Sequence, residues 1–239
     1  MMKLQNNTLA AESRPSGPHG RWYEDACGTA FGLELLGERW SLLIVRELMF
    51  GPRRFSDIRT HLPGISARVL TERLAGLEAH GIVRRTSVTD PVPAQLYGLS
   101  EWGQAAEPII IALGRWAAAS PLHDPTLPLS PVSFMLSLKT MLDIEAAQDM
   151  RLTAAFRIGT ARFVTRLAKG SLLARRGEAA DSDLTFIASA APALAGVFYG
   201  GQPSEGAGVT ISGDPELARA FIGLFNLPGA PSLSSKEDR

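Results

Sequence analysis

Cysteine is almost absent. Cys27 stands alone, so no intramolecular disulfide can form, and the class of small secreted domains stapled by paired cysteines is excluded. A reducing, cytoplasmic setting fits. No stretch approaches the ~18 consecutive apolar residues of a membrane span, because charge, Gly or Pro interrupts each candidate, so no membrane partner is expected. Residues 1–20 are polar and rich in Asn, Ser, Pro and Gly, without the apolar core of a signal peptide; they read as a disordered arm. There is no excess charge of either sign, since Lys plus Arg and Asp plus Glu both total 24. Any attraction to a polyanion must therefore be local. Lysine is scarce, being confined to Lys3, Lys139, Lys169 and Lys236; genomic base composition explains this as well as a preference for forked arginine contacts does, and more simply. The four histidines, His19, His61, His80 and His123, are scattered without metal-ligand spacing, and there is no Gly-rich phosphate loop or nucleophile elbow. No metal, cofactor or enzymatic activity is expected.

What is present is enough apolar residue, 45% of 239, to build two cores. Pro121, Pro125, Pro128 and Pro131 remove backbone donors over a short stretch, so residues 120–131 read as a linker between an N-terminal domain, 21–119, and a second domain, 132–228, with a flexible tail over 229–239. In the first domain, apolar spacing predicts helices over 30–36 and 40–49, broken at Gly37, then a short helix over 56–61 with Ser56 as its cap. Ser66 caps a further helix in which Leu70, Leu74 and Leu77 share a face, and Gly81 is placed where a left-handed residue ends it. Residues 82–88 and 95–99 alternate like two strands of a hairpin. A helix follows Ser100 from 101 to about 118, with a kink expected at Pro108.

Helices, a turn, a helix, a hairpin and a final helix make the order of a winged helix-turn-helix, whose second turn helix enters the DNA major groove. The charge agrees with that order. From Gly51 to Arg85 there are seven arginines against Asp57, Glu72 and Glu78, a local charge of +4 in a neutral chain, set on the elements that would face phosphate. Leu70, Leu74 and Leu77 take the core face, leaving Ser66, Ala67, Arg68, Thr71, Glu72 and Arg73 as candidates at or near the groove. Arg68 can fork onto a guanine edge, and Ala67 and Thr71 allow close approach or contact a thymine methyl. Arg53 and Arg54, with Ser56 beside them, and Arg84 and Arg85 on the hairpin suit phosphates, which add affinity but little choice of sequence. A solvated arginine face on an ordinary helical domain is the competing account of the charge alone.

The motifs decide between them. Leu35-Leu36-Gly37-Glu38-Arg39-Trp40-Ser41, Gly51-Pro52-Arg53-Arg54-Phe55-Ser56, Leu62-Pro63-Gly64-Ile65-Ser66, Val69-Leu70-Thr71-Glu72-Arg73-Leu74, Gly81-Ile82-Val83 and Leu99-Ser100-Glu101-Trp102-Gly103 closely resemble the HxlR family of bacterial transcription factors in order and spacing, over about residues 23–119. The resemblance implies sequence-specific binding of double-stranded DNA by a homodimer joined through its terminal helices, here 30–36 and the segment holding Ile109 to Trp116. A palindromic operator follows, with half-sites about one helical turn, ~34 Å, apart. Glu72 departs from the neutral amide of many relatives; a carboxylate accepts from cytosine and repels phosphate. The wing loop with Pro91 and Pro93 matches more loosely. Cys27 falls near a cysteine that some relatives use to sense oxidants, although a small side chain buried in the core or the dimer interface is the ordinary role of a free cysteine.

After the linker, a helix over 132–142, strands over 152–158, 162–168, 171–175 and 184–188, a helix over 191–199, a strand over 208–212 and a helix over 215–225 capped by Asp214 make an α+β domain. Asp183-Leu184-Thr185-Phe186, Val209-Thr210-Ile211-Ser212-Gly213-Asp214 and the apolar run from Leu217 resemble the sterol-carrier-protein-2-like (SCP2-like) fold. Phe134, Phe156, Phe163, Phe186, Phe198, Phe221 and Phe225 are candidates to line a cavity for an apolar small-molecule effector, or else to fill an ordinary core. The whole chain thus reads as α+β, a winged helix-turn-helix followed by a small SCP2-like domain, working as a ligand-controlled DNA-binding regulator. The alternative is a lipid- or metabolite-binding carrier that keeps a degenerate helix-turn-helix for dimerisation.

Overall fold

The computed structural model describes Tyr23, residues 25–89 and residues 93–228. The expected arm over 1–20, the tail over 229–239 and the central wing-loop residues Asp90, Pro91 and Val92 lie outside the described residues. The described residues open with α1 (Gly28–Leu36) and α2 (Ser41–Leu48), followed by β1 (Arg53–Arg54), α3 (Phe55–Thr60) and α4 (Ala67–Ala79). The hairpin is β2 (Val83–Val88) and β3 (Ala94–Leu99), after which come α5 (Glu101–Gln104) and α6 (Glu107–Ala118).

Local chemistry accounts for most of these boundaries. The Ser66 hydroxyl accepts the Val69 N–H at 3.2 Å and starts α4, while Leu70, Leu74 and Leu77 are buried on its inner face. Each contributes on the order of 1.5–3 kcal/mol by leaving water. Gly81 follows at φ +71°, a left-handed conformation that a residue with a Cβ adopts at a cost. The hairpin closes with Val83 opposite Leu99 and Val88 opposite Ala94. Its outer strand was not foreseen: Arg53 pairs with Tyr97 and Arg54 with Leu96, making a three-stranded sheet in the order β1-β3-β2.

Two local expectations are corrected. Ser56 does not cap α3, which starts one residue earlier with Arg54 in the cap position and no side-chain cap, the Ser56 hydroxyl lying 3.4 Å from the Asp57 carboxylate. The helix after Ser100 is not one kinked rod. It divides at Ala105–Ala106 into α5 and α6, and Pro108 sits in the first turn of α6, where its missing N–H costs no hydrogen bond.

The C-terminal region is sheet-rich and built on a sheet of its own. It comprises α7 (Pro131–Met141), β4 (Leu152–Ile158), β5 (Ala161–Ala168), β6 (Ser171–Arg176), β7 (Leu184–Ala188), α8 (Ala191–Tyr199), β8 (Val209–Gly213) and α9 (Pro215–Ile222). Its five strands lie in the order β6-β5-β4-β7-β8, with only β4 and β7 parallel. At Gly213, φ is +117° and an added Cβ would lie 2.2 Å from the Asp183 carbonyl oxygen. Asp214 then accepts from the Glu216 and Leu217 N–H groups and starts α9.

Phenylalanines fill the space between this sheet and its helices. Phe156 and Phe186 stack at 5.0 Å, Phe198 meets both, and Phe134, Phe221 and Phe225 close the cluster edge-on or tilted. The opposite face of the sheet leaves Arg157, Arg166, Leu173, Arg175 and Ile187 exposed.

The Pro-rich stretch ends inside the fold. Ser130 caps α7, Pro131 is its first residue, and the buried Ser130 hydroxyl donates to the Glu47 carboxylate of α2 at 2.6 Å. Phe50 packs edge-on against Phe163 at 5.7 Å, Lys139 of α7 pairs with Glu107 of α6, and Arg115 donates to the Thr140 carbonyl. The two regions thereby share one hydrophobic core.

Candidate nucleic-acid interface

The first turn of α4 is the most open part of the basic segment. Ala67, Arg68, Thr71 and Glu72 are exposed around the Ser66 cap, and the Arg68 side chain retains 88% of its accessible surface. Arg68 is held along the helix by Glu72, whose carboxylate accepts from Nε at 2.8 Å. The Thr71 hydroxyl donates to the Ala67 carbonyl at 3.0 Å. Such a turn offers a forked guanidinium, two small side chains and a carboxylate together. That is a donor-and-acceptor set able to read base edges.

The remaining arginines divide into two groups. Arg54 on β1, Arg59 on α3 and Arg84 on β2 are exposed, with Arg84 donating to the Leu99 carbonyl at 3.3 Å. Arg85 is exposed too, forked onto Glu78 and 5.9 Å from the centroid of the Tyr97 ring. Arg53 and Arg73 are placed elsewhere than the sequence suggested. Arg73 is 19% exposed and bonded to Glu38 at 2.9 Å, which fastens α4 to the turn before α2. Arg53 is 11% exposed and turned toward Asp57, at 3.9 Å, and His61, at 3.2 Å. A guanidinium committed to a carboxylate in a half-buried setting fixes the position of its element more than it attracts phosphate.

Apolar surface is exposed on two helices of the same region. Phe31 and Leu33 of α1, and Ile109, Leu113 and Trp116 of α6, lie open, Trp116 by 76%. No residue of α6 is buried. A helix carrying this much unburied apolar side chain needs a further surface to cover it.

Cys27 is exposed rather than buried. It stands at the N-terminus of α1, where the Thr29 N–H, the Thr29 hydroxyl and the Ala30 N–H draw its thiol below the ordinary value. In the C-terminal region the seven candidate phenylalanines are each at most 4% exposed. They interlock as core, and none lines the described cavity of about 590 Å³ that opens between the two regions. Sequence reading did not find this cavity, because its walls come from segments far apart along the chain. Among the described residues no three His, Cys, Asp or Glu side chains are grouped to hold a metal ion, and no helix is long and apolar enough to cross a membrane.

Comparison with known proteins bears on the first of these regions. The model of the HxlR-like helix-turn-helix family matches residues 35–123. The HTH-type transcriptional regulator YvaP of Bacillus subtilis (strain 168) is 40% identical over 85 residues, 36% of this chain and 79% of that protein. The regulator YodB of the same organism is 40% identical over 83 residues, 35% of this chain and 74% of that protein. The crystal structure of the quinone-bound YodB aligns at 38% identity over 37% of this chain and 93% of its own, with a TM-score of 0.33.

Proposed function

The chain belongs to the HxlR-like helix-turn-helix family, and from that premise we propose that it is a dimeric, sequence-specific DNA-binding regulator whose reading element is the first turn of α4. It is a transcriptional regulator of the HxlR type, as its relatives are. The observation that supports the finer reading is the Ser66-capped turn with Ala67, Arg68, Thr71 and Glu72 open to solvent in the middle of a segment of charge +4. On DNA, Arg68 leaves Glu72 and forks onto a guanine edge, and Glu72 is freed to accept from cytosine. Arg54, Arg84 and Arg85 contact phosphates and set register. Arg53 and Arg73 act from behind, through the positions of β1 and α4.

The dimer forms through α1 and α6, whose exposed Phe31, Leu33, Ile109, Leu113 and Trp116 cover one another. Two α4 helices then face successive major grooves of a palindromic operator, with half-sites ~34 Å apart. The C-terminal region, on its SCP2-like resemblance, carries control by a small molecule. Such control operates only if the effector binds the DNA-competent and DNA-incompetent arrangements with different affinity.

Nuclease footprinting on the DNA upstream of the chain's own gene tests this reading. Two protected half-sites one turn apart are expected, and both are lost together in Arg68→Ala. Protection without two-fold symmetry would contradict the dimer; no protection of any site over scrambled DNA would contradict the regulator. A second, smaller reading rests on Cys27, exposed and acidified at the start of α1, where oxidation would act on one of the two dimer helices. Cys27→Ser with an unchanged oxidant response of DNA binding would remove it.

A further inference from the structure

The cavity between the two regions has walls of mixed character. Pro52, Arg53, Asp57 and His61 come from the β1–α3 segment of the helix-turn-helix; Leu129 and Pro131 come from the start of α7. The far wall is the β4–β5 turn with Ile158, Thr160 and Ala161, the end of β6 with Arg176, and the start of α8 at Ala191. Its volume, about 590 Å³, is that of a site for a small organic molecule. The apolar part of the described lining is aliphatic, with no phenylalanine, tyrosine or tryptophan.

Arg176 is the odd member of that wall. Its guanidinium lies over the Phe163 ring at 4.6 Å from the centroid, and its Nε and Nη2 are buried without a hydrogen-bond partner. Burial, with the Arg53 charge beside it, pushes the group down to about 10, against the pull of Glu47 and Asp57. Neither acid compensates it directly. Glu47 Oε1 accepts from Arg46 and Ser130, Asp57 leans toward Arg53, and among the described residues no carboxylate lies within ion-pair distance of Arg176. Guanidinium nitrogens buried without a partner are costly to hold, and with Asp57 turned to Arg53 the unpaired Arg176 favours an anion inside the cavity. The start of α8, which has no side-chain cap, adds the positive end of a helix dipole to the same wall.

We propose that this cavity binds an aliphatic monocarboxylate, its carboxylate compensating Arg176 and its chain lying along Pro131, Ile158 and Ala161. The ligand bridges the β1–α3 segment to the C-terminal sheet. Where the regulator reading above holds, occupancy therefore alters how α3 and α4 are presented to DNA, and this consequence, unlike the site itself, rests on that reading. The effector site is thus moved from the phenylalanine core to the seam between the regions.

Calorimetric titration of the full chain with octanoate, octanol and octylamine tests the site. Saturable octanoate binding is expected, with octanol and octylamine weaker by about tenfold or more, the effect of losing a charged hydrogen bond. Arg176→Gln, which removes an uncompensated charge and is expected to fold, lowers octanoate affinity by a similar factor. Thr160→Trp at the exposed rim blocks entry without touching Arg176 and weakens binding as well. Absence of saturable octanoate binding to the wild-type chain, or equal affinity in Arg176→Gln, overturns the proposal. The two readings fail separately: octanoate binding with unchanged operator affinity supports the site and removes its action on DNA, and octanoate binding that persists in Arg68→Ala supports a site distinct from the DNA surface.

Discussion

The N-terminal region leaves Ile109, Leu113 and Trp116 of α6 in solvent, whereas the C-terminal region encloses all seven of its phenylalanines, six of them in contact ring to ring. The same contrast holds for arginine. Arg68 is almost free, held only along its own helix, while Arg176 is folded over Phe163 at the seam. On the reading proposed above, one region is completed by other molecules, a second copy on α1 and α6 and DNA on α4. The other encloses its own aromatic cluster, and the proposed ligand site lies where it abuts the first.

The contrast is broken most severely in the enclosed region. Phe156→Ala removes a ring that meets three others, and the cavity left is expected to cost about 3–5 kcal/mol in denaturant unfolding. A loss below ~1 kcal/mol would mean that the cluster is not close-packed. In the open region, Trp116→Ala should hardly alter the stability of the protomer but should weaken the dimer by ~2 kcal/mol or more, as loss of an interface anchor does. Sedimentation across a dilution series reads this directly, and an unshifted association midpoint would place the dimer elsewhere.

A smaller effect is expected at the cap. Ser66→Ala leaves the Val69 N–H unpaired and should cost ~1 kcal/mol of stability, with DNA affinity falling as the first turn of α4 frays. Stability unchanged in thermal unfolding would show that the cap is not needed to hold that turn. Smallest is Glu72→Gln, which removes a charge repelled by phosphate; binding to scrambled DNA should rise a few-fold while the preference at one base pair changes. If neither moves, Glu72 faces away from the duplex.

Much of this contrast was legible in the residues. Short, loosely alternating segments bounded by turns marked β4 and β7, and Ser66, Ser100 and Asp214 announced the helices they cap, because these signals act within a few positions. The leucines of α4 fixed its inner face and so the outward set around Arg68. What escaped depends on distant pairing. Arg53-Arg54 has no strand pattern and becomes β1 only by hydrogen bonding to β3, which also turns Arg53 inward. The contacts of Glu47 with Ser130 and Phe50 with Phe163 join regions that the prolines suggested were merely tethered. The phenylalanines carried no mark to distinguish a filled core from a lined cavity, since both use the same residues. Arg176 could not be singled out either, because its peculiarity is the lack of a partner in three dimensions.

The central claim is that the open turn of α4 reads DNA sequence and the arginines around it supply the salt-dependent attraction. The measurement that meets it most directly is fluorescence anisotropy of the purified chain on its upstream DNA and on scrambled DNA, over a salt series, for the wild type and Arg68→Ala. The expected result is tighter binding to the upstream DNA, reduced in Arg68→Ala by ~1–3 kcal/mol on that DNA and little changed on the scrambled one. Equal, weak and equally salt-sensitive binding of both proteins to both DNAs would contradict the claim and leave the segment a merely basic surface.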